Sequence, residues 1–114
     1  MDQKTFYKRD EEGKKVAKEL KTKIAKIRFK NRSIHINKII TIGRDELNDI
    51  VIKDDPLVYR RHAIIEKVNN IYYLQDKGST NGTYLNNNPV LAKGRIQLKS
   101  GDVIMIGKTK LNIL

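Results

Sequence analysis

The stretch His62-Ala63-Ile64-Ile65-Glu66-Lys67-Val68-Asn69-Asn70-Ile71-Tyr72-Tyr73-Leu74-Gln75-Asp76 decides the fold class. Two runs rich in Ile, Val and Tyr, His62–Val68 and Ile71–Asp76, flank the turn pair Asn69-Asn70, and each reads as a short strand. The pattern continues in both directions. Upstream, Ile27 and Phe29, Ile34 and Ile36, and Ile40 and Ile42 alternate with polar residues at the period of half-buried strands. Asp49–Ile52, Thr83–Asn86, Arg95–Leu98, Val103–Gly107 and Lys110–Leu114 add further short strands. Turn signals separate them: Asp45 to Asn48, Asp54-Asp55-Pro56, Lys77-Gly78, Asn81-Gly82, Asn86-Asn87-Asn88-Pro89, Lys93-Gly94 and Ser100-Gly101-Asp102. No connection can hold a crossover helix, which excludes Rossmann and P-loop architectures. The expectation is an all-β protein, an antiparallel β-sandwich of ten or so short strands.

Before Ala25 the period changes. Val16, Leu20 and Ile24 recur every fourth position with Ala17 beside them, which predicts a short or frayed basic helix over about residues 14–22 behind a flexible 1–9. The chain therefore divides into a basic N-terminal tail, 1–23, and a sandwich domain, 24–114. Its 114 residues leave room for one small soluble domain and no cleft between domains. With no cysteine, disulfide scaffolds, Cys-ligated zinc, iron–sulfur clusters and thiol catalysis are excluded. Any metal would have to come from His35, His62 and carboxylates, and no second His or Cys stands at ligand spacing, so neither metal nor cofactor is expected. No apolar run approaches the ~20 residues of a membrane span, and no signal peptide is visible, so the expected location is cytoplasmic.

The net charge of +11 points to an anionic partner. Nucleic acid, acidic lipid headgroups and phosphoprotein all fit the charge, as does a solvated tail that keeps the protein in solution. Phe6, Tyr7 and Phe29 are too few for an aromatic platform on single-stranded bases, and binding of nucleic acid or membrane through the tail has no further support. No nucleophile–base–orienter set and no paired-carboxylate site appears, so an enzyme is not expected.

Polar residues that a sandwich core cannot use collect in three expected loops: Gly43-Arg44, Tyr59-Arg60-Arg61-His62 and Gly78-Ser79-Thr80-Asn81-Gly82-Thr83. With Asn48-Asp49-Ile50-Val51-Ile52, His62-Ala63 and Gly101-Asp102-Val103-Ile104, they occur in an order and spacing that resembles forkhead-associated domains. The resemblance covers about residues 25–114. It implies a β-sandwich of about eleven strands that does no chemistry and binds phosphothreonine in an extended partner segment through loops at one end, as an adaptor in Ser/Thr kinase signalling.

The resemblance also assigns roles. Arg44, held at a strand end by Gly43, would grip the phosphate with forked hydrogen bonds, which suits a group carrying about −1.5 to −2 charges. Arg60 would add a second contact, and Arg61 could reach the same anion. Ser79, Thr80 and Asn81 would complete the phosphopeptide contact, Asn81 by gripping the partner's main chain. Taken alone, Asn81-Gly82 is also a plain hairpin turn. His62 would brace the loops from beneath, Gly78 and Gly82 would supply positive φ, and Asn86 would be a supporting turn former. Preference for residues beyond the phosphate would come from Asp54, Asp55 and Leu57.

Where the family usually carries a serine that donates to the phosphate, this chain has Tyr59. Its hydroxyl stands about 6.5 Å from Cα along a rigid ring, against about 2.4 Å for serine. The side chain either turns outward, reaches the phosphate from the side, or marks a surface that binds proteins without phosphate. The last is the alternative function: a phospho-independent interaction scaffold on the same fold. Thr5, and also Thr22, could fill the site intramolecularly once phosphorylated, since some small members of the family bind their own phosphorylated tails.

Overall fold

The computed structural model describes residues 26–92 and 94–114; the tail 1–23 and the helix expected over 14–22 lie outside the described residues. Eleven strands follow one another: β1 Lys26–Phe29, β2 Arg32–His35, β3 Ile39–Gly43, β4 Ile50–Val51, β5 Ala63–Val68, β6 Ile71–Asp76, β7 Thr83–Leu85, β8 Asn88–Pro89, β9 Arg95–Gln97, β10 Val103–Ile106 and β11 Thr109–Ile113. They form a six-stranded sheet in the order β2-β1-β11-β10-β7-β8 and a five-stranded sheet in the order β4-β3-β5-β6-β9.

Alternation makes the core. Ile27 and Phe29, Ile40 and Ile42, Ala63 and Ile65, Tyr72 and Leu74, Ile104 and Ile106, and Leu111 and Ile113 are buried, and the residues between them face outward. Both sheets contribute to a single cluster, so each needs the other to cover its apolar face. Burying each Ile or Leu stabilises the fold by about 1.5–3 kcal/mol. In β6 the inward row Tyr72, Leu74 ends on Asp76, a carboxylate at a core position.

The turns follow their residues. Asn69 and Asn70 have φ of 53° and 66°, and Asn86 and Asn87 have 50° and 71°, so two-residue turns with left-handed backbone close the β5–β6 and β7–β8 hairpins. The expected turn Asn86-Asn87-Asn88-Pro89 is therefore half turn and half strand. Asn88–Pro89 is β8, an edge strand, where proline's missing N–H costs no ladder bond.

One pair departs from the antiparallel expectation: β3 and β4 run parallel, Ile42 opposite Ile50 and Gly43 opposite Val51. A connection of residues 44–49 suffices without a crossover helix because β4 is only two residues long. Strands β1, β3, β6 and β10 end, and β5, β7 and β11 begin, at one end of the sandwich. The connections 30–31, 44–49, 52–62, 77–82 and 107–108 gather there.

Candidate functional site

Gly43, the last residue of β3, has the Arg60 carbonyl so close that a Cβ would lie 2.1 Å from its oxygen. Close approach, rather than a positive φ, demands glycine here. That carbonyl accepts from Asp45 N at 3.2 Å and from Asn48 Nδ2 at 2.8 Å, and Asn48 Nδ2 also donates to Asp45 O. The 44–49 and 52–62 loops are thereby fastened side by side. Arg44 N donates to Tyr59 O at 3.0 Å, and Arg44 Nε donates to Val58 O at 3.0 Å. The Nε bond orients the guanidinium, and among the described residues its terminal nitrogens have no hydrogen-bond partner. A fixed planar cation with two free forked donors suits an oxyanion.

His62 is fully buried beneath these loops. Its Nδ1 accepts from Tyr59 N at 2.9 Å, which assigns the ring proton to Nε2, and Nε2 donates to Gly82 O at 2.8 Å. One imidazole thus ties the loop carrying Tyr59 and Arg60 to the loop carrying Thr80 and Asn81.

The 77–82 loop is built around Asp76. This carboxylate accepts from Gly78 N, Ser79 N, Ser79 Oγ at 2.6 Å and Thr83 Oγ1 at 2.7 Å. Burial alone would raise its pKa, but the Ser79 and Thr83 hydroxyls and the two backbone donors outweigh burial and hold it below the usual carboxylate range. The Ser79 hydroxyl donates to Asp76 and accepts from Gly82 N, so it is committed to the loop itself. Thr80 and Asn81 stand exposed at the tip, with Gly78 and Gly82 at φ of 86° and 84° on either side. Asn81 Nδ2 donates to Leu57 O at 2.9 Å, which joins this loop to the 52–62 loop. Its second N–H and its Oδ1 remain for a ligand.

Tyr59 and Arg60 are exposed and, with Asp45 and Arg61, line a surface groove of about 280 Å³ beside Arg44. Arg44, Tyr59, Arg60, Ser79, Thr80, Asn81, Gly43, His62, Gly78 and Gly82 thus share one end of the sandwich. Asn86 does not. It lies at the other end of β7, where its Nδ2 donates to Asp102 Oδ1 and its Oδ1 accepts from Val103 N. Asp55, expected to read the partner, is instead buried: it accepts from Leu57 N, Lys108 N and Thr109 Oγ1 and anchors the 52–62 loop to the β10–β11 hairpin. Burial raises its pKa, and those three donors with the Lys108 charge lower it further than burial raises it. Asp54 stays exposed, 3.7 Å from Lys30. Among the described residues, no group of three or more His, Cys, Asp or Glu could hold a metal ion.

Sequence reasoning missed Asp76 and the burial of Asp55, and it placed Asn48 in a motif without reading its role in fastening two loops. Asp76 had a readable signal: it continues the inward parity of Tyr72 and Leu74 and precedes Gly78-Ser79, a pattern for a side chain that caps its own turn.

Residues 40–107 match the family model described as the FHA domain. The chain belongs to the FHA domain family. Protein FraH of Nostoc sp. is 46% identical over 55 residues, which cover 48% of this chain and 19% of that protein. The glycogen accumulation regulator GarA of Mycobacterium tuberculosis is 42% identical over 76 residues, covering 67% of this chain and 44% of GarA. The oxoglutarate dehydrogenase inhibitor of Corynebacterium diphtheriae is 41% identical over 71 residues, 62% of this chain and 47% of that protein. The chain therefore spans less than half the length of each of these relatives. Among solved structures, an FHA domain from work on phosphothreonine-dependent interactions superposes with a TM-score of 0.71 and 30% identity, covering 79% of this chain and 94% of the other. The MEK1 FHA domain, solved with a phosphothreonine peptide of HOP1, superposes with a TM-score of 0.72 and 26% identity, again covering 79% and 94%. The FHA sandwich and its loop end are thus the frame in which Arg44, Arg60, Thr80 and Asn81 stand.

Proposed function

We propose that this FHA domain is a binding module without catalytic activity that captures phosphothreonine in an extended segment of a partner protein, within Ser/Thr kinase signalling. The carrying observation is Arg44. Its guanidinium is pinned through Nε to Val58 O, its terminal nitrogens have no partner among the described residues, and it stands at the loop end that also carries Arg60, Thr80 and Asn81. Three permanent cations, Arg44, Arg60 and Arg61, stand at this end, which suits a dianion better than any neutral side chain. Asn81 supplies a donor and an acceptor for the partner's main chain, and His62 keeps the two loops at a fixed distance. The MEK1 domain, which binds a phosphothreonine peptide on the same fold, supports the reading. Such a module works in the cytoplasm, where kinases use ATP. Among the described residues, no helix is long and apolar enough to cross a membrane.

Calorimetric titration with a phosphothreonine peptide and its unphosphorylated twin tests this. Binding should require the phosphate, weaken at least tenfold in Arg44→Ala, and be about fourfold weaker for phosphoserine, which lacks one methyl to bury. One observation favours a second reading: Tyr59 is half exposed where the family serine would stand. Equal binding of both peptides would replace the phosphate-dependent function with a phospho-independent scaffold.

A further inference from the structure

We infer that the partner segment beside the phosphothreonine is aliphatic and acidic and lies in a groove on the outer face of the five-stranded sheet, an inference that rests on the function proposed above. The groove, of about 250 Å³, is made where the 44–49 loop folds back over the sheet. Thr41 N and Thr41 Oγ1 donate to Asp49 Oδ2 at 2.9 and 3.1 Å, and Asp49 N donates back to Thr41 Oγ1 at 2.9 Å. Leu47 N donates to Asp45 Oδ1 at 3.0 Å, which shapes the tip of the loop.

These bonds hold Leu47 over the sheet with 80% of its surface exposed, the second most open large apolar residue among the described residues after Leu91. Below it lies Ile64, opposite Thr41 in the β3–β5 register and facing outward. A tethered aliphatic side chain above an aliphatic floor offers apolar surface that water solvates poorly.

The charged side chains that line this groove, Arg61 and Lys77, are both cationic. Among the described residues neither forms an ion pair. Of the three acidic residues of the overhanging loop, Asp45 is engaged with Leu47 N and Asp49 with Thr41, while Glu46 is exposed and is not among the residues that line the groove. Complementarity therefore calls for carboxylates on the occupant.

Continuity identifies the occupant. Arg61 lines this groove and also the groove of Asp45, Tyr59 and Arg60 beside Arg44. A chain that places a phosphate at Arg44 passes Arg61 and meets Leu47, Ile64 and Lys77 next. The same partner segment thus fills both, a leucine-like side chain under Leu47 and carboxylates at Arg61 and Lys77.

The test uses three phosphothreonine peptides: one flanked by Ala and Ser only, one with Leu and two Glu before the phosphothreonine, and one with them after it. One of the two enriched peptides should bind about tenfold tighter than the plain one, the gain that a charge-assisted hydrogen bond supplies. The Leu47→Ser/Lys77→Ala double variant should lose that gain and bind the plain phosphopeptide as wild type does; both positions are exposed, so folding is unaffected. Equal binding of all three peptides, or a gain that survives in the double variant, overturns the groove assignment while leaving phosphothreonine binding intact. Failure of wild type to bind even the plain phosphopeptide overturns the proposed function, and this inference with it.

Discussion

Replacing Gly43 with alanine tests whether the site is held together by the close approach of two loops. The new Cβ would lie 2.1 Å from Arg60 O and 2.8 Å from Asn48 Nδ2. Ordinary contact begins near about 3.4 Å, so the carbonyl must retreat by about 1.3 Å. It cannot do so and keep its bonds, because Asp45 N already stands at 3.2 Å and Asn48 Nδ2 at 2.8 Å. Two lost hydrogen bonds, with their groups left partly desolvated, cost about 2–4 kcal/mol. For a domain of this size that lowers Tm by about 8 °C or more. The displaced carbonyl also moves Tyr59 and Arg60, so affinity for a phosphothreonine peptide should fall by about tenfold or more. Urea unfolding followed by circular dichroism, with m checked for constancy, gives the stability change, and calorimetry gives the affinity. A Gly43→Ala protein that loses under about 0.5 kcal/mol and binds as wild type would refute the claim that this contact sets the site's geometry.

Three further outcomes follow from the same geometry. His62→Ala strands Tyr59 N and Gly82 O and empties a buried site; it should destabilise the fold by about 2–5 kcal/mol in urea unfolding and weaken phosphopeptide binding, and unchanged affinity in folded variant would contradict the bracing role. Asp55 and Asp76 have depressed pKa values, so their stabilisation is complete above the ordinary carboxylate range and is lost as pH falls through the depressed values. Unfolding free energy should therefore be level from pH 7 to about 5 and drop below about pH 4, with a shallower drop in Asp76→Asn; an unchanged acid limb in that variant would show that Asp76 does not contribute. Tyr59→Ser restores a short hydroxyl at the loop and should tighten phosphothreonine binding by about tenfold or more, measured by calorimetry; weaker binding would mean that the tyrosine itself contacts the ligand.

The sandwich was legible in the sequence wherever period two maps onto burial. Ile71–Asp76 matches β6 residue for residue, and Ile27, Phe29, Ile40 and Ile42 all face the core. What escaped depends on contacts distant in the chain. Nothing local in Asn88-Pro89 marks a strand, since β8 exists only because Tyr84 and Leu85 lie alongside to pair with it. The parallel β3–β4 pair is likewise made by tertiary bonds, Ile52 N to Gly43 O and Thr41 to Asp49. Within the site, Gly43-Arg44, Arg60-Arg61-His62 and Gly78 to Thr83 could be read because turn chemistry and charge are local. Asp55 could not, because its partners Lys108 and Thr109 lie 53 and 54 residues away. Asn86 was legible as a turn former, but three residues of β7 carry it to the far end of the sandwich.

The central claim is that the loop end around Arg44 receives a phosphothreonine. Amide chemical-shift mapping by nuclear magnetic resonance tests it most directly, with one phosphothreonine peptide added before and after phosphatase treatment. The account predicts saturable shifts concentrated at Arg44, Arg60, Thr80 and Asn81 that disappear once the phosphate is removed. Shifts that persist without the phosphate, or that fall on strands away from this end, would contradict it.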